Sequence, residues 1–167
     1  MTFHELNTLP AASLKTELFR CCGSTAWVEK MIRFFPMDDL VEMLEDAEEQ
    51  WYACTEADWR EAFAHHPKIG DIESLSGKFS DTGEWATAEQ DNVNVASGET
   101  ITRLALVNEA YEKKFGYIFI VSATGKTAEE MLALMEQRLS NTAQDEISIA
   151  AEEQIKITLL RLQKLIT

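Results

Sequence analysis

Apolar residues recur along this chain at spacings of three and four, the period of helices that bury one face. Leu14 and Leu18 stand one turn apart and Gly23 supplies a stop, predicting a helix that ends around Cys21-Cys22-Gly23. Ser24 can cap the next helix, where Trp27, Val28, Met31, Ile32 and Phe35 form one stripe before Pro36. Asp38 can cap a third, with Leu40, Leu44, Ala47 and Trp51 facing inward. Thr55 and Asp58 resemble a capping box with Asp in place of Glu, opening a short helix with Trp59, Ala62 and Phe63.

That helix runs into Pro67. The residue before a proline is pushed out of the helical region, so His66 marks where the helix must end. Residues 68 to 84 hold Gly70, Gly77 and Gly83 among serines and aspartates, and read as an exposed loop whose length suggests function or mobility rather than plain connection. Helix is expected again from Trp85 to Asn92. A longer one follows, with Ile101, Leu104, Val107, Asn108, Tyr111 and Phe115 on one face and Gly116 as its stop. Tyr117 to Val121 has strand chemistry but no partner strand, so a buried extended turn or part of a helix is expected. Thr127-Ala128-Glu129-Glu130 is a capping box before Met131, Leu134, Met135 and Leu139. A last helix, about Asp145 to Leu165, carries Ile147, Ala151, Ile155, Leu159, Leu162 and Ile166. The sum is one all-α domain over residues 1–167, a compact bundle of about seven to eight helices.

Composition narrows the function. At 46% apolar and 26% charged, the 167-residue chain can bury one sizeable core. No apolar run approaches the roughly 18–20 residues that cross a bilayer. Met1-Thr2-Phe3-His4-Glu5 lacks a signal peptide's basic flank, and Leu165-Ile166-Thr167 carries no sorting address, so the cytosol is expected. A net charge of −14 repels phosphate backbones and anionic membranes, which argues against nucleic acid and membrane partners. Three cysteines, Cys21, Cys22 and Cys54, make no disulfide framework and no zinc spacing, and read as small buried hydrophobes.

His65 and His66 are adjacent, point apart, and have no nearby ligand pattern, so no metal site is expected. An isolated histidine is most often a surface or helix-end residue. His66 stands out because Pro67 holds it at a helix end before a glycine-bearing loop, where imidazole can carry a proton near neutral pH. Glu89-Gln90 matters only if it faces His66: the carboxylate would keep the ring protonated, and the amide could hold a ureido group. Arg161 falls between Leu159 and Leu162. On a solvated flank it does nothing; turned inward, its planar fork suits a carboxylate or an imide-like oxygen pair, and Arg138 is a weaker candidate of the same kind.

These pieces, in their order, resemble the 2-oxo-4-hydroxy-4-carboxy-5-ureidoimidazoline (OHCU) decarboxylase family across almost the whole chain. The likeness is carried by Cys22-Gly23-Ser24 with Trp27, His66-Pro67-Lys68-Ile69-Gly70, Trp85 with Glu89-Gln90, and Asn108 with Tyr111. It continues through Lys114-Phe115-Gly116-Tyr117, Phe119-Ile120-Val121, Gly125-Lys126-Thr127, Arg138-Leu139 with Asn141, and Lys156-Ile157 with Leu160-Arg161-Leu162. The resemblance implies an all-α homodimer without metal or organic cofactor that decarboxylates a small ureidoimidazoline from urate oxidation to (S)-allantoin. It further implies His66, Glu89 and Arg161 as catalytic residues. Pro67, Ala86, Thr87, Ala88, Glu89, Gln90, Val121, Ser122, Ala123, Thr124 and Gly125 would line the substrate site. Ala86 replaces a serine of the family pattern, which removes a hydrogen bond of about 1–2 kcal/mol unless Thr87 supplies it. Two rival classes are a helical adaptor, for which His66 and Glu89 would be silent, and a cofactor-free hydrolase or isomerase of a related ureide, which would release no carbon dioxide.

Overall fold

The computed structural model describes residues 1–66 and 98–166. The expected loop from Lys68 to Glu84 and the expected helix from Trp85 to Asn92 lie outside the described residues. Within them the chain forms eight α-helices, one 3-10 turn and no strand. The helices are α1 (Phe3–Thr8), α2 (Ala11–Cys21), α3 (Thr25–Met31), α4 (Leu40–Tyr52), α5 (Glu56–Ala64), α6 (Gly98–Phe115), α7 (Ala128–Leu139) and α8 (Ala143–Leu165); the 3-10 turn spans Ile32–Phe34. The chain divides into two units, Met1–Ala62 with Ile155–Thr167, and Phe63–Gln154.

In the first unit, α2, α3 and α4 pack around Leu18, Trp27, Met31, Met43, Ala47 and Trp51, all fully buried. Buried indoles need a partner for their N–H; Trp27 Nε1 donates to the Ala47 carbonyl at 3.0 Å. Ser24 caps α3 as expected, its hydroxyl accepting the Trp27 N–H. The capping box of α5 forms in both directions: Thr55 N–H to the Asp58 carboxylate at 2.9 Å, and Asp58 N–H to the Thr55 hydroxyl at 3.3 Å.

Three details of this unit depart from the sequence reading. Helix α1 was not anticipated, because it spans 6 residues and buries only Leu6, too little for a periodic stripe; a Thr2–Glu5 capping box holds it. The cap of α4 is Asp39, not Asp38: the Asp39 carboxylate accepts the Glu42 N–H at 2.9 Å, while the Asp38 N–H is taken by the Glu42 carboxylate. Met43 takes the core position next to Ala47 and Trp51, leaving Leu40 and Leu44 half-buried.

In the second unit, α6 packs on α7, and the segment between them carries an aromatic cluster. Tyr111 lies 4.7 Å from Phe115 and 5.2 Å from Phe119 between ring centroids, and Phe63 lies 5.1 Å from Tyr117. Gly116 stops α6 with φ +83°, the left-handed turn that glycine adopts without strain. Tyr117 to Val121 then runs without helix or strand and is largely buried, which excludes the helical form its composition allowed. Thr127 caps α7 through the Glu130 N–H at 3.1 Å. Helix α8 begins at Ala143, two residues before the expected start, because Thr142 accepts the Asp145 N–H and supplies its cap.

Candidate active site

His66 follows α5 by two residues, and its backbone N–H donates to the Phe63 carbonyl at 3.2 Å. Phe63 is itself locked into the aromatic cluster, so the backbone that carries the imidazole is anchored on a rigid wall. The two adjacent histidines diverge as expected: His65 is exposed, whereas His66 is only 9% exposed. The His66 Nε2 atom lies 2.5 Å from Oε1 of Gln154 on α8. An amide oxygen only accepts hydrogen bonds, so this contact is a hydrogen bond in the forms of the ring that carry a proton on Nε2. Gln154 is fully buried, and nothing in the sequence reading singled it out.

The segment from Val121 to Gly125 lies in the same unit. Val121 and Ala123 are buried, Ser122 half-buried, Thr124 and Gly125 exposed. The Ser122 N–H donates to the Glu153 carboxylate at 3.2 Å, and Lys126 closes the turn with its Nζ on the Ser122 carbonyl at 2.8 Å. Gly125 has φ +79°, and a Cβ there would meet nothing within 4 Å, so backbone conformation, not crowding, favours glycine. Two consecutive residues of α8, Glu153 and Gln154, therefore hold the turn and the imidazole respectively.

Just upstream, the same segment is fixed by a buried ion pair. Arg138 on α7 donates through Nε to both Glu146 oxygens, at 3.1 and 2.9 Å, and through Nη1 to the Ile120 carbonyl at 2.7 Å. Its Nη2 stands 2.8 Å from Glu146 Oε2, near enough for charge attraction but out of hydrogen-bond line. Tyr111 and Asn141 also donate to the Glu146 carboxylate, at 2.6 and 3.2 Å. Burial, and after it the bond to Glu146, push the Tyr111 phenol far up, so it remains a donor. The Arg138 guanidinium lies 4.3 Å over the Phe119 ring. Arg138 is thus a structural clamp for residues 119–120.

Arg161 turns inward on α8 and is 4% exposed, within the first unit, where its charge acts on the Cys21 thiol. Pro67, Ala86, Thr87, Ala88, Glu89 and Gln90 lie outside the described residues. Among the described residues, no group of three or more His, Cys, Asp or Glu could hold a metal ion.

Gln154 carries a legible signal in the sequence. Ile147, Ala151, Gln154, Thr158, Arg161 and Leu165 follow one another at spacings of three and four, so polar side chains occupy a core-facing stripe. Buried polar side chains need partners, and here those partners organise the site.

The family model described as OHCU decarboxylase matches residues 7–163. The chain belongs to the OHCU decarboxylase family. That match includes all of the Phe63–Gln154 unit and most of the other. The chain is 39% identical over 147 residues to the uric acid degradation bifunctional protein TTL of Arabidopsis thaliana, a match that covers 87% of this chain and 45% of that protein. It is 25% identical over 166 residues to the 2-oxo-4-hydroxy-4-carboxy-5-ureidoimidazoline decarboxylase of Haloferax volcanii, over 97% of this chain and 94% of that one. Among solved structures, an OHCU decarboxylase determined in the presence of (S)-allantoin superposes with TM-score 0.74 at 36% identity, covering 89% of this chain and 96% of the other. An (S)-allantoin synthase shares the fold, with TM-score 0.72 at 17% identity over 99% of this chain and 54% of that one.

Proposed function

We propose that this chain decarboxylates 2-oxo-4-hydroxy-4-carboxy-5-ureidoimidazoline to (S)-allantoin in urate breakdown, with His66 as the acid that delivers a proton to one face. The observation that carries the reading is the buried imidazole of His66, held at a helix end against Gln154 in a chain of the OHCU decarboxylase family. Decarboxylation breaks the bond between the ring carbon and the carboxylate. Carbon dioxide leaves, and the electron pair left behind delocalises onto the electron-poor imidazoline ring. The protein's task is to orient the carboxylate, stabilise the developing charge and return one proton to carbon.

In this reading, protonated His66 stabilises the charge and then gives up its proton. Glu89 keeps the ring charged and holds a substrate N–H, and Arg161 anchors a ring oxygen with its planar fork. Pro67, the stretch from Ala86 to Gln90, and Val121 to Gly125 line the site, with Gln90 and the backbone of Val121 to Ala123 on the ureido group. The chain acts as a homodimer in the cytosol, without nucleic acid or membrane partners. A single fixed acid accounts for a product of one hand.

The test uses substrate generated freshly from urate, followed by circular dichroism. Wild type is expected to produce an (S)-allantoin signal far faster than spontaneous decay. His66→Asn is expected to keep the helical far-ultraviolet spectrum and to lose activity by about 100-fold or more, the range for a general acid. Normal turnover by that variant would rule out His66 as the acid.

A further inference from the structure

The Gln154 side chain is fully buried at the end of the Phe63–Gln154 unit, and its amide oxygen faces the one imidazole that the chemistry above employs. We propose that Gln154 is a positioning residue for His66: it fixes the plane of the imidazole and holds a proton on Nε2. This inference rests on the decarboxylase reading for its consequence in catalysis, but not for the tautomer it assigns.

A neutral imidazole has two tautomers, and which one is populated depends on what its nitrogens face. Opposite an amide oxygen, the Nε2–H form makes a hydrogen bond, whereas the Nδ1–H form sets two lone pairs against each other inside a buried site. The same oxygen also accepts from the imidazolium, where the bond is charge-assisted and stronger. Gln154 therefore favours the two states that an acid must alternate between, imidazolium and Nε2–H imidazole, over the third. Because the ring stays bonded to Gln154 in both, it need not turn between donating its proton and regaining one.

The neighbouring residue extends the idea to geometry. Glu153 holds the Ser122 N–H at 3.2 Å, so one turn of α8 carries both the imidazole clamp and the clamp on the proposed ureido-binding turn. The register of that helix sets the position of each relative to the other. A glutamine is suited to the imidazole position: its amide has both a donor and an acceptor, so it can satisfy its own buried NH₂ while presenting oxygen to the ring.

Side-chain nitrogen-15 spectroscopy of the whole protein tests the assignment. The chain has 3 histidines, and the His66 signals are those missing from His66→Asn. At a pH where His66 is neutral, wild type is expected to show the Nε2–H pattern alone. Gln154→Met, which keeps length and removes the acceptor, is expected to show mixed tautomers. Its kcat should fall by about 10- to 100-fold, the range for loss of an orienting partner, with KM changed less than threefold. Gln154→Glu restores an acceptor oxygen and is expected to return the Nε2–H pattern. An Nδ1–H pattern in wild type overturns the proposal even if both variants misfold, as does an unaltered tautomer and kcat in folded Gln154→Met. An Nε2–H wild type that produces no (S)-allantoin would leave the positioning intact and remove the decarboxylase reading instead.

Discussion

Cys21 and Cys22 sit at the end of α2 with no exposed sulfur, and their thiols are pushed from 9.0 up to about 12, first by burial. For Cys21 the nearby Arg161 charge works against burial and loses; for Cys22 a hydrogen bond with Thr158 does the same. A thiol, not a thiolate, is therefore what the fold contains, and nucleophilic chemistry needs the thiolate. Folded protein at pH 8 is expected to resist iodoacetamide at both positions, while the same protein in urea reacts fully; mass spectrometry after a timed quench reads the difference. The sign of the pH effect on stability follows. A group whose folded pKa is raised contributes fully below its unfolded value, and that contribution disappears as pH rises through the folded one. The urea midpoint should thus hold up to about pH 9 and decline toward pH 12, less steeply in a Cys21→Ala, Cys22→Ala double variant. The reading of these cysteines as buried hydrophobes needed only their count and spacing. Arg161 was harder: the flanking leucines allowed both an inward and a solvated placement, and only packing chose the inward one.

At the scale of elements, caps and stops were readable because they are local. Ser24, Thr55 with Asp58, Gly116 and Thr127 each act within one turn of where they stand in sequence. The contacts that build the site are of another kind. His66 meets Gln154 across 88 positions, and Arg138 reaches back 18 positions to the Ile120 carbonyl. No period within a helix encodes such pairs; a polar residue on a core stripe announces only that some partner exists. The Arg138–Glu146 clamp joins α7 to α8 and pins the segment at Ile120, so its removal should be felt as stability. Arg138→Met would leave the Glu146 carboxylate buried with Tyr111 and Asn141 as its donors among the described residues. Breaking a buried pair on one side costs about 3–5 kcal/mol. Urea unfolding should show a loss of that size, compared with under about 1 kcal/mol for Arg103→Met, whose bridge to Glu136 is exposed. Equal losses would mean that the clamp is not what holds α7 and α8 to the segment.

For the whole molecule, helix α8 is the thread: residues up to Gln154 belong to one unit and those from Ile155 to the other, and the family match from 7 to 163 spans both. The chain also carries a net charge of −14 while its proposed substrate carries a carboxylate. Like charge opposes encounter at long range, and the opposition depends on screening. The Debye length shrinks from about 30 Å at 0.01 M salt to about 8 Å at 0.15 M, so an approaching anion at the higher salt no longer senses distant acidic residues. Cations within a few ångströms of a bound carboxylate are screened far less, because water and ions are excluded there. The two contributions therefore have opposite salt dependence. If the net charge governs approach, KM should fall by about two- to tenfold as salt rises over that range, with kcat unchanged. If buried cations such as Arg161 dominate, KM should stay level or rise. Repeating the titration with Arg161→Met separates the cases, since removing the inner cation should raise KM at every salt concentration and leave the long-range fall in place.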